Sequence, residues 1–478
     1  MSILSLPTLN AMLIKAVTTV IPAPYPFFKS TQVNPNDPES SVDKLSLPRR
    51  TTARIFRPVT RYQRHTLHYV LKSFGYMPVF VLERLNKYID APTVNQYPQA
   101  DAHLRLIIGV NNKIKRPLQV SQLERLRERF ATDGVAMQSP QVWRQPSLYD
   151  KIKNKKTPKA VSWQDKFIAD ADGGEMSIRC YQAGFDRDFG DRHCVDKPIV
   201  LYFHGGGFCI GDTDTHHEFC HTVSARTGWS VISVNYRLAP EYLAPTAIRD
   251  GIAAYVWLTK HAYTFGASAD RILIAGDSAG GCLAALVAQQ VTISTAATGM
   301  SAAAEQQYIE TLDEFTADIF WQVKDLPRPF AQWPLYPVTD VEVDYHSWAI
   351  YGEGLLLDHD DVVVFDAAYL QNSPLSYEHV LVSPMFGDNT ALCPSYVVAA
   401  DLDVLRDEAI AYAEQLQSFG INVQTYTAVG VPHGFIHFMS VHRGIGRKTA
   451  HIIDDFASFV TQLLTTNKAA EANPKCDE

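Results

Sequence analysis

Ser278 lies between Gly276 and Gly280 in ILIAGDSAGGCLAAL, residues 272 to 286. Serine is a common first residue of a helix, so helix capping is one reading of this position. The two glycines point to a stronger one. They permit a strand-to-helix turn too tight for residues that carry Cβ, and such a turn pushes the serine hydroxyl outward as a nucleophile. A short Gly-x-Ser-x-Gly pattern arises by chance. Here the strand-like RILIAG (271–276) leads into it and the helix-like CLAALVAQQV leaves it. Ser278 then stands at the helix's amino end, where the dipole favours developing negative charge. The chemistry of such a site is acyl transfer, and it needs a general base within hydrogen-bond reach.

His433, in VGVPHGF, follows the strand-like VQTYTAV (423–429) and is the expected base. Imidazole titrates near working pH, and catalytic groups of α/β sheets gather at the carboxyl ends of strands. His437, four residues on, is the competing choice and reads better as a packing residue. The acid should come from DLDVLRDE, after the strand-like SYVVAA (395–400). Asp403 is preferred and Asp401 is second; Asp407 reads as a favourable first-turn charge of the next helix. Its role would be to fix the tautomer of His433 and stabilise the imidazolium.

IVLYFHGGGFCIGD, residues 199 to 212, places three glycines directly beyond a strand. Bare backbone N–H groups at Gly205, Gly206 or Gly207, together with that of Ala279, could cradle an oxyanion. Each such donor is worth roughly 3 kcal/mol in the transition state. His204 reads as structural.

These groups are far apart in sequence, so a scaffold must bring them together. IVLYF (199–203), SVISVNY (230–236), RILIAG, QWPLYPV (332–338) and SYVVAA are short and almost wholly apolar, as strands buried on both faces are. Helical segments such as IRDGIAAYVWLTKHA and EAIAYAEQLQSFG separate most of them. VSWQDKFIA and MSIRCYQA flank the turn DADGGE and read as a hairpin. The expected fold class is α/β: a mainly parallel central sheet with helices on both faces.

Residues 1–160 form a helical amino-terminal extension, with apolar side chains at helical spacing over 62–88 and 119–132. It ends in the lysine-rich linker KIKNKKTPK, residues 151–159. Residues 161–470 form the catalytic domain and 471–478 a tail. Two excursions, 292–328 and 340–380, interrupt the rhythm of strands, and such excursions commonly form lids.

The chain has 478 residues, 46% hydrophobic and 20% charged, with a net charge of −8. That balance is ordinary for a globular enzyme and argues against a nucleic-acid partner. Seven scattered cysteines form no Cys-x-x-Cys pair and suggest a reducing compartment. The first residues, MSILSLPTLNAMLIKAVTTVIPAPYPFF, are apolar but broken by Lys15 and prolines. They lack the features of a secretory signal and read as a surface-seeking segment able to touch lipid. The expectation is a cytoplasmic protein with no transmembrane span.

HGGGF (204–208), YRLAPE (236–241), GDSAGG (276–281), DVLRDE (403–408) and HGF (433–435) occur in the order found in the hormone-sensitive lipase family, whose bacterial members are the GDXG lipolytic enzymes. The resemblance covers roughly residues 195 to 465. It implies an α/β-hydrolase fold with Ser278, Asp403 and His433 as triad, and an oxyanion hole from the HGGG loop and Ala279. It implies hydrolysis of carboxylic esters, of small molecules or lipids, without metal or cofactor. It also implies supporting roles for Glu241 and Asp277, and a helical cap built from the amino-terminal helices and residues 340–380. Plant hormone receptors of this family keep the scaffold but lack the catalytic histidine, so His433 argues against a purely binding role. Amide or lactam hydrolysis would use the same constellation.

Two motifs point elsewhere. HEFCH, residues 217 to 221, matches the His-Glu-x-x-His zinc signature, with His217 and His221 on one helix face, but no third histidine follows at the extended spacing. GIGRKT, residues 444 to 449, has Arg447 where a phosphate loop needs glycine.

Overall fold

The computed structural model describes residues 66–145, 160–183, 197–297, 300–341, 343 and 345–472. The apolar segment at the chain start, the lysine-rich linker 151–159 and most of the tail lie outside these residues. Eight strands form one sheet in the order β1-β2-β4-β3-β5-β6-β7-β8. They are β1 Val161–Ala169, β2 Glu175–Ala183, β3 Lys197–Phe203, β4 Ser230–Val234, β5 Ala267–Asp277, β6 Ala331–Leu335, β7 Ser395–Leu402 and β8 Val423–Pro432. β1 and β2 make the expected antiparallel hairpin. Asp170 closes it, accepting the N–H groups of Asp172 and Gly174 on Oδ1 at 2.8 Å each. β2 is antiparallel to β4, and every pairing from β4 across to β8 is parallel.

Alternation along the strands builds a core on each face. Ile199, Leu201 and Phe203 of β3 enter one cluster, Val200 and Tyr202 the other. Both faces are covered by helices, which is why these strands read as unbroken apolar runs. Because β3, β5, β7 and β8 run the same way, their carboxyl ends emerge at one edge. Phe203 is opposite Gly276, and Leu402 is opposite Pro432.

In the amino-terminal region α1 (Thr66–Phe74), α2 (Val79–Tyr88) and α4 (Leu123–Met137) fall where the helical spacing lies. A further helix, α3 (Ala102–Ile114), was not apparent from the spacing; it is capped by Asp101, which accepts the Leu104 N–H at 2.9 Å. α4 docks on the loop beyond β3. Arg127 donates to the carbonyls of Cys209 and Ala239, both at 2.8 Å, and pairs with Glu241 at 2.9 Å.

α5 (His217–Thr227), α6 (Thr246–His261) and α7 (Ala279–Ala297) follow β3, β4 and β5. The excursion 292–328 carries the last turn of α7, then α8 (Ala302–Ile309) and α9 (Glu314–Val323). Ile319 and Val323 of α9 are buried in the same core cluster as Leu283 and Leu286 of α7. At 1.5 Å per residue, Thr292 is about 21 Å along α7 from Ser278, so this segment packs at the far end of the helix and not over the serine.

The excursion 340–380 holds α10 (His346–Tyr351) and α11 (His359–Leu370). Its ring of Tyr369 stacks on Phe208 at 4.1 Å between centroids. Lys115, just after α3, bridges Asp358 and Asp361 at 2.6 and 2.5 Å. The remaining helices are α12 (Arg406–Ser418) and α13 (Arg443–Ala472).

Candidate active site

β5 ends at Asp277 and α7 begins at Ala279, so one residue makes the whole turn. Ser278 adopts φ +55°, a left-handed conformation uncommon for a residue with Cβ. Its N–H donates to Leu335 O at 2.9 Å, and its carbonyl accepts the Cys282 N–H at 3.0 Å as the first bond of α7. A Cβ on Gly276 would fall 2.1 Å from Gly280 O, and one on Gly280 would fall 2.1 Å from Phe203 O. The glycines are there because the turn folds back on itself against β3.

The serine hydroxyl does not cap α7. Ser278 Oγ lies 2.8 Å from His433 Nε2, and His433 Nδ1 lies 2.7 Å from Asp403 Oδ2. Asp403 is fully buried, and its Oδ1 accepts the Leu405 N–H at 2.9 Å. A carboxylate only accepts hydrogen bonds, so Nδ1 carries the imidazole hydrogen and Nε2 presents its lone pair to the hydroxyl. Tyr336 packs edge-on against the ring at 4.9 Å.

The competing residues are otherwise engaged. Asp401 Oδ2 accepts the Gly430 N–H at 2.8 Å, tying β7 to β8. Asp407 accepts the Ser347 N–H at 2.9 Å. His437 meets the rings of His216 and Phe130, at 4.7 and 5.4 Å.

In the glycine loop the three amides are not equivalent. Gly205 N–H donates to Asp277 Oδ1 at 2.9 Å, which removes Gly205 from the expected oxyanion donors. No acceptor among the described residues takes the N–H of Gly206 or Gly207. Both adopt positive φ, +123° and +57°, and Phe365 of α11 lies against Gly207. Ala279, as first residue of α7, also has a free amide.

Asp277 is the hub behind this loop. Besides Gly205 it accepts the Tyr202 hydroxyl on Oδ1 at 2.5 Å and the Tyr336 hydroxyl on Oδ2 at 3.4 Å. Burial raises its pKa, but the neighbouring His216 and His437 and the Tyr202 hydroxyl override this and hold the carboxyl well below the usual range. His204 stacks on Tyr236 at 4.3 Å, and the Tyr236 hydroxyl donates to His204 O at 2.7 Å. Burial and His216 lower the His204 imidazole to about 4, so it is neutral. Glu241 sits at the rim in its ion pair with Arg127.

Sequence reasoning missed Tyr202, Tyr336, His216 and Phe365. Tyr202 did carry a signal: a phenol inside a strand buried on both faces needs a polar partner near its end.

The His-Glu-x-x-His residues do not form a metal site with each other. His217 Nε2 lies 3.0 Å from Val142 O and must donate there, so Nδ1 accepts the Tyr181 hydroxyl at 3.0 Å. Both ring nitrogens of His217 are thereby occupied.

A parallel sheet with a nucleophile on a strand-to-helix turn, an imidazole and a carboxylate at neighbouring strand ends defines an α/β hydrolase. A family model described as alpha/beta hydrolase fold matches residues 200–437. Over 409 residues the chain is 55% identical to Lipase 2 of Moraxella sp. (strain TA144), spanning 85% of this chain and 92% of that protein. It is 31% identical to an ethyl acetate hydrolase of Pseudomonas putida, over 58% of this chain and 76% of that one. Among solved structures, an esterase of Pyrobaculum calidifontis superposes with a TM-score of 0.57 at 26% identity, covering 74% of this chain and 98% of the esterase. The chain belongs to the hormone-sensitive lipase-like α/β hydrolases.

Proposed function

We propose that Ser278, His433 and Asp403 carry out the carboxylic-ester hydrolysis of this α/β hydrolase. Ser278 Oγ attacks the acyl carbonyl as its hydrogen passes to His433 Nε2. Asp403 holds the imidazolium through Nδ1, and the amides of Gly206, Gly207 and Ala279 receive the oxyanion. Collapse releases the alcohol with the proton from His433 and leaves the acyl group on Ser278. Water, deprotonated by the same imidazole, then returns the acid and the free serine. The observation that carries this reading is the unbroken chain of 2.7 and 2.8 Å contacts from Asp403 through His433 to Ser278.

Residues 66–145 and 340–380 form a cap over the catalytic domain 161–470. The Lys115 bridges between the two segments and the seat of Phe365 on Gly207 support it. Phe208, Phe365 and Tyr369 offer an apolar wall for the acyl group beside the oxyanion amides. Contact with a lipid surface falls to the turn between α1 and α2 and the start of α2, where Tyr76, Val79 and Phe80 stand exposed. Among the described residues, one helix, α7, is long and apolar enough to cross a membrane, and 83% of that window is buried in the fold. Unpaired buried cysteines such as Cys209, Cys220 and Cys282 suit a reducing, cytoplasmic setting.

An alkyl fluorophosphonate tests the assignment. It should add once per chain, on Ser278, and abolish turnover of p-nitrophenyl esters. Ser278→Ala should take up none and lose several orders of magnitude in kcat. Near-parental turnover by that variant overturns the proposal.

A further inference from the structure

The side of α11 that meets the catalytic loops carries one carboxyl. Val362, Asp366, Tyr369 and Leu370 recur at helical spacing and share one face of this helix. Val362 packs with Val404 and Leu405, the two residues that follow Asp403. Tyr369 stacks on Phe208, next to Gly207 of the glycine loop. Asp366 therefore stands between the loop that supplies the acid and the loop that supplies the oxyanion amides. Its neighbour Phe365 lies against Gly207, and the Cys209 thiol reaches the Phe365 carbonyl at 3.9 Å.

This carboxyl differs from the other acids nearby. Asp277, Asp401 and Asp403 each accept backbone N–H groups. Among the described residues Asp366 accepts no hydrogen bond and makes no ion pair, and burial alone pushes it up to about 7 from its ordinary 3.8. It is half-buried, so a bound molecule can reach it. Burial raises the thiols of Cys209, in the glycine loop, and of Cys282, one turn after Ser278, and the charge of Asp366 adds to both. Burial likewise raises Glu408, in the first turn of α12, and Asp366 adds there too. The carboxyl is thus within electrostatic reach of the glycine loop, the nucleophile's helix and α12 together. Glu408 is fully buried, and its Oε2 has no hydrogen-bond partner among the described residues. Carboxyl oxygens left without partners among apolar groups are costly, and a substrate can bring the missing group with it.

We propose that Asp366 is a specificity-determining residue that receives a hydroxyl on the acyl chain, so that esters of hydroxylated acids are the preferred substrates. This rests on Ser278 as nucleophile and on Phe208, Phe365 and Tyr369 as the acyl wall. The acyl side is the relevant one because Asp366 lies with the glycine loop, whereas the leaving alcohol must meet His433 Nε2. A hydroxyl suits the place better than an ammonium. It donates to Asp366 whether that carboxyl is ionised or not, and it also accepts. Glu408, largely protonated below about 8, has a hydrogen to offer in the same neighbourhood. A methyl group in the hydroxyl's position strips water from Asp366 and returns nothing.

The test compares kcat/KM for two pairs of ethyl esters, 3-hydroxybutyrate against 3-methylbutyrate and 6-hydroxyhexanoate against heptanoate. Within each pair a methyl replaces the hydroxyl while the chain and the leaving group stay the same. In Asp366→Leu, a near-isosteric change, the hydroxyl-over-methyl ratio should fall at least about tenfold for one pair or both. Asp366→Asn, whose amide oxygen still accepts, should keep most of the preference. Ratios unchanged from the parent in both pairs of Asp366→Leu overturn the proposal. If that variant fails to fold, the parent decides: faster hydrolysis of the methyl member in both pairs overturns it. Either failure, with fluorophosphonate labelling of Ser278 intact, leaves the hydrolase reading standing.

Discussion

Replacing Asp403 with asparagine isolates the tautomer that the site depends on. The side chains are nearly isosteric, so what changes is which edge donates. Asp403 Oδ1 receives the Leu405 N–H at 2.9 Å, and Oδ2 receives His433 Nδ1 at 2.7 Å. In Asp403→Asn the amide oxygen must stay on Leu405, because the reverse sets donor against donor in a buried place at about 1–3 kcal/mol. The NH₂ group then faces His433 Nδ1 and turns it into an acceptor. The imidazole hydrogen moves to Nε2, where it points at Ser278 Oγ and blocks proton uptake. Reaching the productive state requires the donor clash and forfeits a charge-assisted bond to the imidazolium, about 1.5–3 kcal/mol more. The sum, about 2.5–6 kcal/mol, predicts a fall in kcat of roughly 10² to 10⁴. Steady-state hydrolysis of a p-nitrophenyl ester measures it, with the thermal midpoint as control. Asp401→Asn should stay within about tenfold of the parent, since an asparagine oxygen can still accept the Gly430 N–H. A well-folded Asp403→Asn within tenfold of the parent, or an equal loss in Asp401→Asn, refutes the reasoning.

Gly206→Ala places a Cβ 2.2 Å from Ile210 O at φ +123°, so the loop must shift; loss of one aligned amide predicts about a 10²-fold drop in kcat, and unchanged kinetics would remove Gly206 from the oxyanion site. Burial pushes the Glu408 carboxyl up to about 8 from its ordinary 4.5, although Oε1 accepts the N–H groups of Thr339 and Asp340. A raised folded-state pKa gives stability that is complete below 4.5 and lost as pH rises through 8. The unfolding free energy of the parent, measured by urea titration, should therefore fall across this window by up to about 5 kcal/mol more than that of Glu408→Gln, and parallel curves would disprove it. Phe80→Ser, at an exposed position on α2, should slow hydrolysis of emulsified esters and leave dissolved esters untouched; equal rates on both would place lipid contact elsewhere.

The groups legible in sequence are those whose chemistry needs a rare residue at a strand's end. Ser278 and the Gly-rich loop follow apolar runs, and parallel strands bring such ends to one edge whatever lies between. Other features depend on contacts that no local pattern encodes. Gly205 looked equivalent to its neighbours until Asp277, 72 positions away, took its amide. α3 escaped notice because its buried face includes His103 and Arg105, which interrupt the apolar spacing. Their main partners lie in other helices, Leu71 O at 2.9 Å for His103 and Glu83 for Arg105. His437 reads as a packing residue, and the rings it meets, His216 and Phe130, come from segments more than two hundred positions away.

The amino-terminal helices are therefore more than a covering layer. Arg127 holds two carbonyls of the segments that follow β3 and β4, Cys209 O and Ala239 O, with one guanidinium. Cys209 N–H in turn donates to Gly206 O at 3.0 Å, so α4 is two hydrogen bonds from the proposed oxyanion amides. On the other side, Phe365 presses on Gly207 from α11, whose amino end is tied to Lys115. An acyl oxygen reaching the Gly207 amide must share the space beside that ring. The glycine loop is thus held from two sides, by Arg127 through the carbonyl of Cys209 and by Phe365 of α11 against Gly207.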